Sequence, residues 1–258
     1  MKKLALLLLF LFGQTVAQAA IHTETVEYKD GTAVLEGYLA YDDALQGKRP
    51  GILVVHDWTG LRDYTKKRTE QLAGLGYVAF AADIYGKGIR PTDPKESGAQ
   101  AGIYKKDRAL MRERVNAGLK ILQSQPLSDT SKIAAIGYCF GGTAVLELAR
   151  SGADVRGIIT FHGGLDTPTP ADAKNIKGKV LVLHGADDPF APAAQVAALE
   201  DEMRAAGVDY QVHLYGGAVH AFTVPEAGND PSKGAAYNAS ADKRSWEAMK
   251  QFFAEIFS

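Results

Sequence analysis

The chain has 258 residues, a formal net charge of −1, 46% hydrophobic residues and one cysteine. A near-neutral balance without a basic stripe argues against nucleic acid as a partner, and one cysteine excludes an intramolecular disulfide. The apolar share is ample for one buried core, and the length suits a single α/β domain.

Residues Met1-Lys2-Lys3, an apolar block from Leu4 to Phe12, and Ala17-Gln18-Ala19 are arranged as the n-region, h-region and cleavage site of a secretory signal. The apolar block is about half of the ~20 residues needed to cross a bilayer. The expectation is cleavage after Ala19, a single domain over residues 20–258, a periplasmic or secreted location, and no stable membrane association afterwards. In such an oxidising compartment Cys139 must be buried, paired between chains or used as a thiol.

Thr23-Tyr28 and Ala33-Tyr41 read as strands joined at Asp30-Gly31, a hairpin turn. Ile52-Val55, Tyr77-Ala82, Ile133-Ile136, Gly157-Phe161, Val180-Leu183 and Tyr210-Leu214 are short apolar runs, which suits strands covered on both faces. Between them lie helical patterns: Met111, Val115, Leu119 and Leu122 share one face, as do Val196, Leu199, Met203 and Ala206, and then Trp246, Met249, Phe253 and Ile256. This alternation predicts an α/β fold, a mostly parallel, doubly wound sheet of about eight strands with an N-terminal antiparallel hairpin. Gly86-Gly102 and Ala227-Ala239 read as long connections and are candidate walls of a substrate site.

Gly137-Tyr138-Cys139-Phe140-Gly141 leaves a strand pattern and enters a helical one. The spacing is that of a G-x-S-x-G nucleophile elbow with a thiol at its centre, and the glycines are needed where a side chain would strike neighbouring backbone. Farther on, one strand ends in His184-Gly185-Ala186-Asp187-Asp188-Pro189 and another is followed by Gly216-Gly217-Ala218-Val219-His220. Nucleophile, acid, histidine is the chain order of an α/β hydrolase. In this reading Cys139 attacks, His220 takes and returns the proton, and an aspartate fixes the imidazole tautomer. Either Asp187 or Asp188 fits; the spacing of glycine, two residues and acid from Gly185 selects Asp188 and leaves Asp187 as a turn residue. An oxyanion needs two donors. The amide of Phe140 is one, and the other comes from His56-Asp57-Trp58-Thr59-Gly60, with Trp58 selected and one residue either way left open. His56, His162 and His184, at or near strand ends, raise a metal hydrolase as a rival, but no close metal-ligand spacing is present; His213, inside a strand, reads as structural.

These residues resemble the dienelactone hydrolase (carboxymethylenebutenolidase) family, a cysteine branch of the α/β hydrolases. The likeness spans the chain after the leader and rests on Gly137 to Gly142 around Cys139, Gly185 with Asp188, Gly217 with His220-Ala221-Phe222, and Asp83-Ile84-Tyr85-Gly86. The resemblance implies an α/β-hydrolase fold and hydrolysis of a small lactone or activated ester through a thioester, with no metal or organic cofactor. It also implies a thiol-tuning role for Asp57, which stands where the family has a glutamate. Lys87 and Val224 occupy the positions of two arginines that clamp a substrate carboxylate. Lys87 and nearby Arg90 are therefore the candidate substrate-binding cations. The rival of a different class is an idle scaffold that binds a ligand or uses its thiol as a redox sensor, since fold alone does not license catalysis. The oligomeric state is not legible in the sequence.

Overall fold

A computed structural model describes residues 20–258; the expected leader, residues 1–19, lies outside the described residues. Among the described residues, eight strands form one sheet: β1 (Ile21–Asp30), β2 (Ala33–Asp42), β3 (Arg49–Val55), β4 (Val78–Ala82), β5 (Ser128–Tyr138), β6 (Gly157–Phe161), β7 (Lys179–Gly185) and β8 (Tyr210–Tyr215). Their spatial order is β1-β2-β4-β3-β5-β6-β7-β8. β1 pairs antiparallel with β2, and β2 with β4, whereas every pairing from β4 to β8 is parallel. The fold is that of an α/β hydrolase: a mostly parallel sheet with an N-terminal hairpin on one edge.

Among the described residues, six α-helices flank the sheet: α1 (Asp63–Gly74), α2 (Pro94–Lys106), α3 (Arg108–Ser124), α4 (Phe140–Arg150), α5 (Ala193–Ala206) and α6 (Ala239–Ile256). Strand alternation sorts their contacts. Leu53 and Val55 of β3 point into a cluster with Met111 and Val115 of α3, Val145 of α4 and Leu199 of α5. Ile52 and Val54 point the other way, against Leu72 of α1 and Phe252 and Phe253 of α6. All five residues of β4 and of β6 are buried, as expected for strands roofed on both sides.

The stretch Gly86–Gly102, expected as an irregular connection, instead enters α2 at Pro94. Two glycines and a polar composition hid the helix, but its start is chemically marked. Asp93 caps it by accepting from the Glu96 amide at 2.9 Å, and Pro94 takes the first turn, where no N–H is needed.

The order in which parallel strands are added to the sheet reverses between β3 and β5. The chain moves outward from β3 to β4 on one side and from β5 through β6, β7 and β8 on the other. The carboxyl ends of β3 and β5 thus flank the switch point, where open α/β sheets carry their ligands.

Candidate active site

β5 ends at Tyr138, Cys139 turns the chain, and α4 begins at Phe140. Cys139 adopts φ 54° and ψ −115°, a left-handed conformation that side chains avoid. The flanking glycines make this turn sterically possible. A Cβ on Gly137 would lie 2.0 Å from the carbonyl oxygen of Gly141, and one on Gly141 would lie 2.2 Å from that of Val55. The thiol is half-buried and sits at the N-terminus of α4, where the helix dipole favours negative charge.

The loop after β8 brings His220 to the sulfur, with Nε2 3.0 Å from Sγ. The loop after β7 brings Asp188 to the other side of the ring, with Oδ2 2.8 Å from Nδ1. The second carboxylate oxygen of Asp188 accepts from the amides of Phe190 at 2.8 Å and Ala191 at 3.2 Å, which fixes the acid without using the oxygen that faces the histidine. Burial by itself pulls the His220 imidazolium down. The charge facing it on Cys139, the hydrogen bonds to Asp188 and Cys139, and the Asp188 charge outweigh burial and raise the ring to about 10. Asp187 turns away and accepts from the Gly217 amide at 3.0 Å.

The segment from Ala227 to Ala239 braces the histidine. The His220 amide donates to the Gly234 carbonyl at 3.1 Å, and the Ala236 amide donates back to the His220 carbonyl at 3.0 Å. Phe190, 61% exposed, meets the His220 ring edge-on with centroids 5.4 Å apart.

Among the described residues, the amides of Phe140 and Trp58 carry no protein hydrogen bond, so both remain available as donors. Trp58 is an exposed side chain on the loop after β3. In the same loop, Oδ1 of Asp57 accepts from the Thr59 amide at 2.7 Å and the Thr59 hydroxyl at 2.6 Å. Tyr85, which follows β4, donates its hydroxyl to the Trp58 carbonyl at 3.0 Å. Burial, then the charges of Cys139 and Asp57, hold the Tyr85 phenol well above its usual range, so Tyr85 is a neutral donor beside the thiol. Its part in this loop is not legible in the sequence, because the contact spans 27 positions.

Lys87 and Arg90 each have partners within the protein. Lys87 pairs with Glu27 of β1. The Arg90 guanidinium donates to the carbonyls of Leu61, Gly86 and Ile89 at 2.7, 3.1 and 2.8 Å, and faces Asp83 at 3.5 Å. The strand-end histidines are likewise engaged one by one. The ring of His56 contacts the Asp57 carbonyl, that of His162 the Thr223 hydroxyl, and that of His184 the Ala191 carbonyl.

Residues 35–257 match the dienelactone hydrolase family. Among solved structures, m3DLH is 42% identical, superimposes with a TM-score of 0.89, and is covered over 93% of this chain and 100% of its own. A dienelactone hydrolase-like promiscuous phosphotriesterase from metagenomic libraries is 43% identical with a TM-score of 0.87, covering 92% of this chain and 99% of its own. A Synechocystis sp. protein that carries the provisional name carboxymethylenebutenolidase is 28% identical over 247 residues, 90% of this chain and 96% of its own.

Proposed function

The chain belongs to the dienelactone hydrolase family, and from that premise we propose that it hydrolyses small, uncharged lactones or activated esters through a thioester on Cys139, acting after export and removal of residues 1–19. The observation that carries this reading is the line Asp188, His220, Cys139, joined by contacts of 2.8 and 3.0 Å. With the proton on His220, the sulfur attacks the substrate carbonyl as a thiolate. The amides of Phe140 and Trp58 hold the resulting oxyanion. Collapse breaks the C–O bond, and His220 gives its proton to the departing oxygen, which in a lactone stays tethered to the acyl chain. His220 then accepts a proton from water as the water attacks the thioester; loss of the sulfur releases the acid and restores the thiolate and imidazolium. Asp188 keeps the ring in the tautomer that these transfers require.

An amide is a poor substrate for such a site, because a thiolate departs more readily than an amine from the tetrahedral intermediate. Support for an uncharged substrate comes from Lys87 and Arg90. The first is paired with Glu27 and the second is bound to three carbonyls, so neither offers a free, planar partner to a substrate carboxylate. Two exposed aromatic residues, Phe190 and Trp58, accompany the site instead. The Asp57 carboxylate contributes to the charge balance around the thiol, since its charge and that of Cys139 both raise the Tyr85 phenol.

The test is hydrolysis of p-nitrophenyl acetate. We expect turnover that is abolished by stoichiometric alkylation of Cys139 and lowered at least 10²-fold in Cys139→Ser, since loss of one member of such a unit costs far more than that elsewhere. An uncharged aryl ester should also be turned over faster than its carboxylate-bearing analogue. Wild-type protein that leaves all of these esters intact would instead support an idle scaffold with a spare thiol.

A further inference from the structure

Between β3 and the oxyanion loop lies His56, a residue with 0% exposure whose hydrogen bonds go to Asp57 and Ile84 and not to Cys139 or His220. Its two ring nitrogens are both used, and their roles follow from one partner. The Ile84 amide, 3.2 Å from Nε2, can only donate. Nε2 is therefore the bare nitrogen, and Nδ1 carries the hydrogen that it donates to the Asp57 carbonyl at 2.7 Å. Burial drives the ring toward this neutral form by holding its pKa below the ordinary value.

The Asp57 carbonyl and the Trp58 N–H are opposite ends of one planar trans peptide. A grip on the oxygen therefore sets the direction of the hydrogen. The Gly60 amide is a second donor to the Asp57 carbonyl, at 3.2 Å, and the next peptide is held by Tyr85, which donates to the Trp58 carbonyl at 3.0 Å. The His56 ring also stacks on Phe140, with centroids 5.9 Å apart and planes 18° from parallel, and Phe140 bears the second oxyanion amide. One buried ring thus touches the peptide that carries the Trp58 amide and the side chain of Phe140, whose amide is the other one left free.

We propose that His56 is the positioning residue of the oxyanion hole: its Nδ1–H clamps the peptide between Asp57 and Trp58 so that the Trp58 amide is aimed at the developing charge. The inference rests on the hydrolase reading above, and it assigns His56 no contact with substrate. Misaiming an oxyanion donor by about 1 Å costs on the order of 10²-fold, whereas a core histidine that merely fills space affects stability alone.

Three substitutions separate these roles. Asn presents a side-chain N–H at the place of Nδ1, Gln presents one nearer Nε2, and Phe keeps the ring and removes both nitrogens. For p-nitrophenyl acetate we expect His56→Phe to lower kcat on the order of 10²-fold, with KM within about threefold. Alkylation of Cys139 by iodoacetamide should stay within about twofold, because the thiol and His220 are undisturbed. His56→Asn should recover most of kcat and His56→Gln should not. Should the Phe variant fail to fold, the Asn and Gln pair decides the same question. A readout free of turnover is the Trp58 backbone amide by NMR, expected as one sharp resonance at the same chemical shift in the wild type and His56→Asn, and as a shifted or broadened one in His56→Gln. Equal kcat for Asn and Gln variants, or a Trp58 amide indifferent to the substitution, overturns the assignment. Absence of esterase activity in the wild type counts against the hydrolase reading, while the amide measurement still decides the clamp.

Discussion

The two ends of α4 treat buried charge in opposite ways. At its N-terminus a chain of three polar groups runs from sealed to half-open. Asp188 is buried and fully hydrogen-bonded, His220 is partly covered, and the Cys139 sulfur is reachable from solvent. At its C-terminus, Arg150 is wholly buried. It makes a two-pronged contact with Glu202 of α5 at 2.7 and 2.8 Å and a third with Glu147 at 3.0 Å. The other oxygen of Glu147 takes Arg112 of α3 at 2.7 Å, and Arg112 also reaches Asp172 at 2.8 Å. Every charge there has a partner and none is left for a ligand, so the cluster locks α4 against α3 and α5. Chemistry requires the unfinished arrangement at one end; the closed network at the other holds the helix that presents it.

Substitutions should therefore divide cleanly between lost turnover and lost stability. The largest effect is expected for Asp188→Asn, which keeps the shape of the loop but stabilises the wrong imidazole tautomer. We expect kcat to fall on the order of 10⁴-fold with little change in Tm, while Asp187→Asn, one position away, stays within a few-fold. Equal losses at both positions would break the assignment of the acid.

Next in size is Arg150→Met, which strands Glu202 and half of Glu147 in the interior. Denaturant unfolding should show a loss of about 3–5 kcal/mol, with kcat per folded molecule unchanged. Replacing Glu147 and Glu202 by leucine in the same protein should return most of the stability, because well-packed apolar groups often match a buried ion cluster. A kcat that falls together with stability would show that the two ends of the helix are not separable.

The smallest effect is a titration. The folded-state pKa of His220, raised from the ordinary 6.5 to about 10, makes the protonated ring a stabilising element. Its contribution is complete below about pH 6.5 and disappears as the pH rises through about 10. Cys139→Ala removes the facing sulfur, so the His220 ring resonances should titrate at lower pH than in the wild type. An unmoved titration would mean that Asp188 alone sustains the imidazolium.

Most of the architecture was legible because apolar strand runs and amphipathic helix faces are local patterns. Each of the eight strand expectations meets an observed strand, although β5 begins at Ser128, ahead of the Ile133-Ile136 run, where polar residues pair with Arg49 and Pro50 of β3. α2 escaped because Gly98 and Gly102 dilute its pattern, even though Asp93, Pro94 and Glu96 spell out a helix start. At the site, the order of Cys139, Asp188 and His220 is written in strand-end loops, and the observed geometry joins them. The roles of His56 and Tyr85 in the oxyanion loop were not legible: Tyr85 reaches the Trp58 carbonyl across 27 positions, and the tautomer that lets His56 donate to its neighbour is set by the Ile84 amide, 28 positions away. Arg90 presents the opposite case. Its charge is plain in the sequence, but the three carbonyls that absorb its donors appear only when the loops around it close.

The left-handed turn at Cys139 has a consequence for how this protein can change. Holding a side chain at φ 54° costs on the order of 1–3 kcal/mol, and glycine escapes most of that cost. Laboratory evolution that rewards heat resistance alone is thereby nudged toward losing the one side chain that makes the molecule reactive, and only a screen that also demands turnover will keep it.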